Sequence, residues 1–174
     1  LYNRANGYAV LPNNQLTGVL LSVTFPVLSK MQNDVELLRQ NVRRMIRVSA
    51  FISFPIYVIL CALAKPLVII LISDRWEPCI KLLQILCFAI MWWPIHTINR
   101  NLMQVVGRSD LYLKVEIAKK FFNLLVIACA LSFGIEAFCY SQVFLSVVTL
   151  SFNTHYTKKL INFSLLQQLK DILP

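Results

Sequence analysis

Residues 78–106 read PCIKLLQILCFAIMWWPIHTINRNLMQVV, an apolar run whose charges, Lys81 and Arg100, lie toward its two ends. A helix crossing about 30 Å of hydrocarbon needs roughly 20 mainly apolar residues at about 1.5 Å each. This run exceeds that length, so it crosses with tilt or with a kink at Pro94. Pro78 suits the first helical turn, where its missing N–H is no loss. Gly107 suits the position just past the helix end.

The same criterion extends in both directions. Spans are expected over about residues 2–28 (its apolar body from Tyr8), 45–63, 110–133 and 137–156, making about five with residues 78–106. Pro12, Pro26 and Pro55 lie inside them. Ser109 or Asp110 can cap the fourth, and Gly134 ends it. Residues 66–72 are apolar but too few to span, which suits an interfacial segment. Residues 158–174 carry Leu160, Ile161, Leu165, Leu166, Leu169 and Ile172 among polar residues, the pattern of an amphipathic helix lying on the membrane surface.

Composition agrees with a membrane solvent. Apolar residues make up 57% and charged ones 14%, against roughly 45–50% and about 25% in soluble proteins, and mean hydropathy is +0.64. The net charge of +9 sits in short stretches between apolar spans rather than on one soluble face, which argues against nucleic-acid binding. The cysteines (Cys61, Cys79, Cys87, Cys129 and Cys139) have no CxxC spacing and no His cluster, so neither a disulfide framework nor a metal site is expected, and no cofactor motif appears. Most read as small hydrophobes within spans, with Cys79 the one expected near water. No basic region or cleavage site opens the chain, so residue 1 is expected to be a truncation point rather than the start of a signal peptide.

Residues 33–47 connect the first two spans. Asn33 and Glu36 fit a capping box. Val35, Leu38, Val42 and Met45 recur at helical spacing, with Arg39, Arg43, Arg44 and Arg47 between them. This reads as a basic helical extension feeding the second span. It is either a solvated topology signal or a lipid-headgroup contact. With five spans, thirteen Lys and Arg fall on one side: Lys30, Arg39, Arg43, Arg44, Arg47, Arg100, Arg108, Lys114, Lys119, Lys120, Lys158, Lys159 and Lys170. Four fall on the other: Arg4, Lys65, Arg75 and Lys81. The basic side is therefore expected to be cytoplasmic, with Glu136 outside.

The ordered motifs now permit a comparison. Leu1-Tyr2-Asn3-Arg4-Ala5, Leu11-Pro12 and Phe25-Pro26-Val27-Leu28-Ser29 resemble the opening of the second half of Wzx-type flippases in the multidrug/oligosaccharidyl-lipid/polysaccharide (MOP) exporter superfamily. Phe54-Pro55, Ala64-Lys65-Pro66-Leu67-Val68, Asp74-Arg75-Trp76-Glu77-Pro78 and Gly107-Arg108-Ser109-Asp110-Leu111 continue the resemblance in order. So do Tyr156-Thr157-Lys158-Lys159-Leu160 and Leu166-Gln167-Gln168-Leu169, and the WzxC-like branch is the most similar. The resemblance implies an all-α, multi-pass bundle in the bacterial inner membrane. Residues 1–174 would form part of a MOP/MATE-like C-terminal lobe, with an N-terminal lobe absent from the chain. It also implies export of an undecaprenyl-diphosphate-linked glycan with no bond made or broken.

Two polar sets are candidate substrate-path residues. At 100° per residue, Asn3, Asn6, Asn13, Thr17 and Thr24 fall within about an 80° sector of the first span. Lipid cannot satisfy such groups, so they line a hydrated cavity or pack against another helix. Arg4, near the outer end, either meets a diphosphate or snorkels to the interface. In the third span His96, Arg100 and Gln104 form an i, i+4 ladder with Asn99 and Asn101 alongside. An Arg at a span centre costs roughly 2.5–3.5 kcal/mol on insertion scales, so Arg100 either donates to an anionic group or snorkels to the cytoplasmic edge. His96 reads as a packing histidine or, alternatively, a proton relay. Trp92 and Trp93 are expected in the core, Trp76 at the outer interface, and Asp74, Arg75 and Glu77 in a local ion network.

Export of a lipid-linked glycan is the leading reading. A multidrug exporter of the same superfamily would favour a carboxylate within the membrane, and none is evident in these spans. A membrane-embedded glycan polymerase or ligase would expect a large outer loop, and residues 64–77 are short for that.

Overall fold

In the computed structural model, residues 1–71 and 73–172 are described; Ile72, Leu173 and Pro174, at the ends of two expected segments, lie outside the described residues. The protein is an all-α bundle with no strand among the described residues. The chain order is α1 (Tyr2–Ser29), α2 (Val35–Ala62), α3 (Ala64–Leu71), a 3-10 turn (Asp74–Trp76), α4 (Pro78–Ile90), α5 (Trp93–Val105), α6 (Ser109–Leu131), α7 (Ile135–Ile161) and α8 (Leu165–Ile172).

Local chemistry sets most boundaries. Pro78 occupies the first turn of α4, as its lack of a donor favours. The run 78–106 breaks at Met91 and Trp92, just before Pro94, into α4 and α5. After α5, Gly107 takes φ +73°. Its N–H reaches the Gln104 carbonyl (3.0 Å) and that of Arg108 reaches Met103 (3.1 Å). This pair of bonds is the Schellman closure, and its left-handed residue favours glycine. Two expected caps shift. Asp34, not Asn33, caps α2 by accepting from the Leu37 N–H at 2.9 Å. Neither Ser109 nor Asp110 is the residue preceding α6; that place belongs to Arg108, whose Nε donates to Asp110 (3.2 Å).

The tail helix is also shorter than expected. Residues 158–161 continue α7, which ends at Asn162 in the left-handed region (φ 52°). α8 then docks beside α2 and α7, with Arg43 and Arg47 both gripping Asp171 (2.5 and 2.8 Å). The carboxylate side chain is only 6% exposed. These two hydrogen-bonded guanidinium groups hold Asp171 below the usual carboxylate range.

Three contacts fix one end of the bundle: the Cys79 thiol on the Leu1 carbonyl (3.3 Å), Tyr57 Oη on the Ala9 carbonyl (3.1 Å), and Lys81 on Glu136 (2.5 Å). α1 therefore runs parallel to α4 and α5, with α2 antiparallel. The arginines of early α2 gather at the opposite end with α8 and the end of α7. The core is divided accordingly. Ala5, Ala9, Tyr57, Ala64, Leu82, Leu83 and Leu86 pack at the Leu1 end. Leu28, Leu38, Val42, Ile46, Ile95, Ile98, Leu102 and Phe163 pack at the basic end.

Among the described residues, three stretches are long and apolar enough to cross a membrane: Val35–Ala62, Pro78–Val105 and Ile135–Ile161. α1 and α6, at 28 and 23 residues, have the length but carry more polar side chains.

Candidate functional site

α5 is the most enclosed helix of the bundle, with ten of its residues buried. Most of its polar side chains therefore sit among neighbours rather than in bulk solvent, and those of Asn99 and of His96, Thr97 and Arg100 fall into two groups.

The first group is closed. Asn99 is fully buried and exchanges hydrogen bonds with Gln168 of α8, Nδ2 to Oε1 and Nε2 to Oδ1, both at 3.2 Å. Thr157 Oγ1 of α7 donates to the same Asn99 oxygen at 2.8 Å, and Asn99 Nδ2 also donates to the Ile95 carbonyl at 3.1 Å. Every polar atom of the Asn99 side chain is thus satisfied inside protein, the condition for burying an amide without loss. This knot ties α5, α7 and α8 together.

The second group is open. Asn13, Asn14, Thr17, Gly18 and Leu21 of α1 face Trp93, His96, Thr97 and Arg100 of α5 across a cavity of about 740 Å³. Glu116, Lys119, Lys120 and Asn123 of α6 and Thr149 and Asn153 of α7 complete the lining. Three polar residues of α1 and four of α6 thus face this space.

Within the cavity, Thr17 Oγ1 donates to Asn13 Oδ1 (3.2 Å) and Arg100 donates to Thr97 Oγ1 (3.4 Å). Lys119 Nζ donates to Glu116 and, across to α7, to Asn153 Oδ1 (3.1 Å). Among the described residues, three buried atoms of the cavity lining have no hydrogen-bond partner: both ring nitrogens of His96 and Nδ2 of Asn153. His96 is 6% exposed and Asn153 fully buried. A polar group buried without a partner costs about 1–3 kcal/mol, so these atoms are sites of unmet hydrogen bonding beside an open space. The cationic side chains Arg100, Lys119 and Lys120 face a single carboxylate, Glu116.

Of the ten expected path residues, Asn13, Thr17, His96 and Arg100 come together here. Asn3 and Arg4 are exposed near the Leu1 end and Asn6 is half-buried. The Arg4 guanidinium lies 5.8 Å from the centre of the Trp76 ring, a cation–π approach. Gln104 is exposed, and Asn99 belongs to the closed knot. Thr24 is buried and lines a second, almost wholly apolar groove of about 500 Å³ between α1 and α2, with Arg44 among its lining.

Three expectations are corrected. A carboxylate does lie within the fourth expected span: Glu116 borders the cavity, because the phase of α6 against α7 turns it inward. Trp92 packs edge-on against Phe54 (5.1 Å), but Trp93 is 43% exposed and lines the cavity. No ion pair joins Asp74, Arg75 and Glu77 among the described residues; Ser73 Oγ instead accepts from the Arg75 N–H at 3.4 Å. Glu116, Lys119 and Lys120 were legible as charges one helical turn apart in an apolar stretch. Thr149 and Asn153 were legible as an i, i+4 polar pair in the next.

Residues 1–81 match the family described as polysaccharide biosynthesis protein. The chain is similar to an uncharacterized membrane protein in the cps region of Klebsiella pneumoniae, 36% identical over 51% of this chain and 18% of that protein. It is also similar to the lipopolysaccharide biosynthesis protein WzxC of Escherichia coli strain K12, 29% identical over 69% of this chain and 24% of the relative. A third similarity is to the teichuronic acid biosynthesis protein TuaB of Bacillus subtilis strain 168, 21% identical over 64% and 23%. The matches span about a quarter or less of each relative's length. No solved structure matches the chain.

Proposed function

We propose that the chain, similar in part to polysaccharide biosynthesis proteins, forms part of a Wzx-like flippase moving an undecaprenyl-diphosphate-linked oligosaccharide across the bacterial inner membrane. The observation that carries this reading is the cavity itself. It presents hydroxyl and amide groups suited to sugar hydroxyls beside three cations suited to anionic oxygens. In this reading α1 and α6 also cross the bilayer, with their polar residues turned away from lipid as an intramembrane polar side chain requires.

The basic end, with Arg39, Arg43, Arg44 and Arg47, lies on the cytoplasmic side. The rest of a protein as long as the relatives supplies the facing wall, a second lobe against which this one rocks in alternating access. The lipid tail stays in the bilayer while the glycan is hydrated in the cavity. The process is transport, with no covalent step.

Glu116 also gives the multidrug reading its carboxylate. That carboxylate already holds Lys119, however, and cations outnumber it, so a cationic drug meets net repulsion.

The test is export in cells that depend on the full-length protein. Arg100→Ala and Lys119→Ala are expected to lower surface polysaccharide at least tenfold with normal membrane levels of protein. Arg4→Ala and Gln104→Ala are expected to leave export within twofold. Normal export by Arg100→Ala and Lys119→Ala would remove the cavity from the path.

A further inference from the structure

Lys119 is a largely enclosed cation of the cavity. Its side chain is 11% exposed and that of Glu116, one turn earlier on α6, is 21% exposed. Taking both charges out of water is costly unless they meet each other. Here they do, and the same ammonium crosses to Asn153 Oδ1 on α7 at 3.1 Å. Arg100, by contrast, has no carboxylate partner among the described residues and donates to Thr97 on its own helix. His96 nitrogens and Asn153 Nδ2 stay without partners beside them. The cavity therefore presents one cation already paired and, among the described residues, several donors without a carboxylate or hydrogen-bond partner.

We infer that Glu116 is an internal stand-in for the anionic group of the transported molecule: it holds Lys119 while the cavity is empty and gives it up when that group enters. The inference rests on the transport reading and names the residue that sets its affinity. An oxyanion of the ligand, diphosphate or sugar carboxylate, presents the same acceptor geometry as the Glu116 carboxylate. On entry it takes the Lys119 ammonium together with the free donors of Arg100 and Asn153. On exit Glu116 recaptures Lys119, so the ammonium is never left bare in a low-dielectric space. Competition of this kind lowers affinity for the ligand and speeds its release. It is a specificity device too, because a neutral glycan cannot displace a carboxylate.

The experiment uses the full-length protein in nanodiscs, with farnesyl diphosphate and D-glucuronate as separate probes to distinguish the two sources of anionic oxygen. Glu116→Gln keeps the shape and removes the competing charge. It is expected to bind the effective probe about tenfold more tightly and to slow export in cells. Glu116→Asp retains a competitor and is expected to bind within threefold of the unaltered protein. Lys119→Met is expected to weaken binding about tenfold and to abolish the gain from Glu116→Gln in the double variant.

Weaker binding by Glu116→Gln, in step with Lys119→Met, would make the pair a structural support and overturn the inference while leaving the transport reading in place. Unchanged affinity in Glu116→Gln would overturn it as well. A protein that binds neither probe until Glu116 is replaced would support it. Absence of binding in every variant, with thermal unfolding unaltered, would remove both the inference and the cavity's role in transport.

Discussion

Asn99 and His96 stand less than one turn apart on the same helix, are both buried, and have opposite circumstances. Each polar atom of the Asn99 side chain has a partner, drawn from α5, α7 and α8. Neither nitrogen of His96 has one. Polar groups in a low-dielectric interior stabilise when satisfied and cost when not. The first environment therefore holds the bundle together, and the second is retained at a cost in stability. A cost borne beside a cation-lined cavity is the usual mark of a binding surface.

The contrast can be broken most forcefully at Asn99. Asn99→Leu leaves both ends of the buried Gln168 amide without their partner, whereas Thr157 Oγ1 keeps the Asn153 carbonyl at 3.1 Å. The substitution is expected to destabilise the bundle by about 1–3 kcal/mol for each orphaned group, measured by unfolding in mixed micelles. If helix–helix hydrogen bonds in lipid set the scale instead, the loss is nearer 0.6 kcal/mol. His96→Leu has the opposite sign. Removing two unpartnered nitrogens is expected to leave stability unchanged or raise it by about 1 kcal/mol, while export falls. Equal destabilisation by the two variants would erase the distinction.

The smallest expected effect lies at the α8 latch. Asp171 is depressed by Arg43 and Arg47, so the latch contributes fully above the ordinary carboxylate value of 3.8 and is lost as pH falls through the lower folded-state value. The protection of α8 amides, taken relative to their intrinsic exchange rate at each pH, is expected to stay flat from neutral pH down to that ordinary value and to fall only below it. Asp171→Asn is expected to lower that protection by less than about fivefold wherever the carboxylate is ionised, because both arginines are half exposed. Loss of α8 protection already at pH 6 would point to another titrating group.

Much of the fold was legible because lipid imposes strong rules on composition. The broken third span followed from Pro94, the α5 terminus from Gly107, and the gathering of cations at one end from their alternation along the chain. The cavity was half legible. The stripe containing Asn13 and Thr17 and the ladder containing His96 and Arg100 are helical periodicities, readable one helix at a time. What periodicity cannot supply is the rotation of one helix about its axis relative to the next. That rotation separates Asn99 from its neighbour His96, and it turns Glu116 and Asn153 toward the same space. The cap at Asp34 rather than Asn33 is a finer case: both side chains can accept the same bond, and only the path of the turn selects one.

The interruption at Met91 and Trp92 has a mechanical consequence. Ser53 Oγ of α2 donates to the Met91 carbonyl there (3.4 Å), so the gap in the helix is braced from the side rather than along its axis. α4 belongs to one packed cluster and α5 is anchored in the other. The crossing thus behaves as two short rods joined end to end, not as one stiff beam. Tilting the lower rod alters the width of the cavity beside it without levering the upper one out of its packing. An uninterrupted helix would have to bend its whole hydrogen-bonded length to achieve the same displacement.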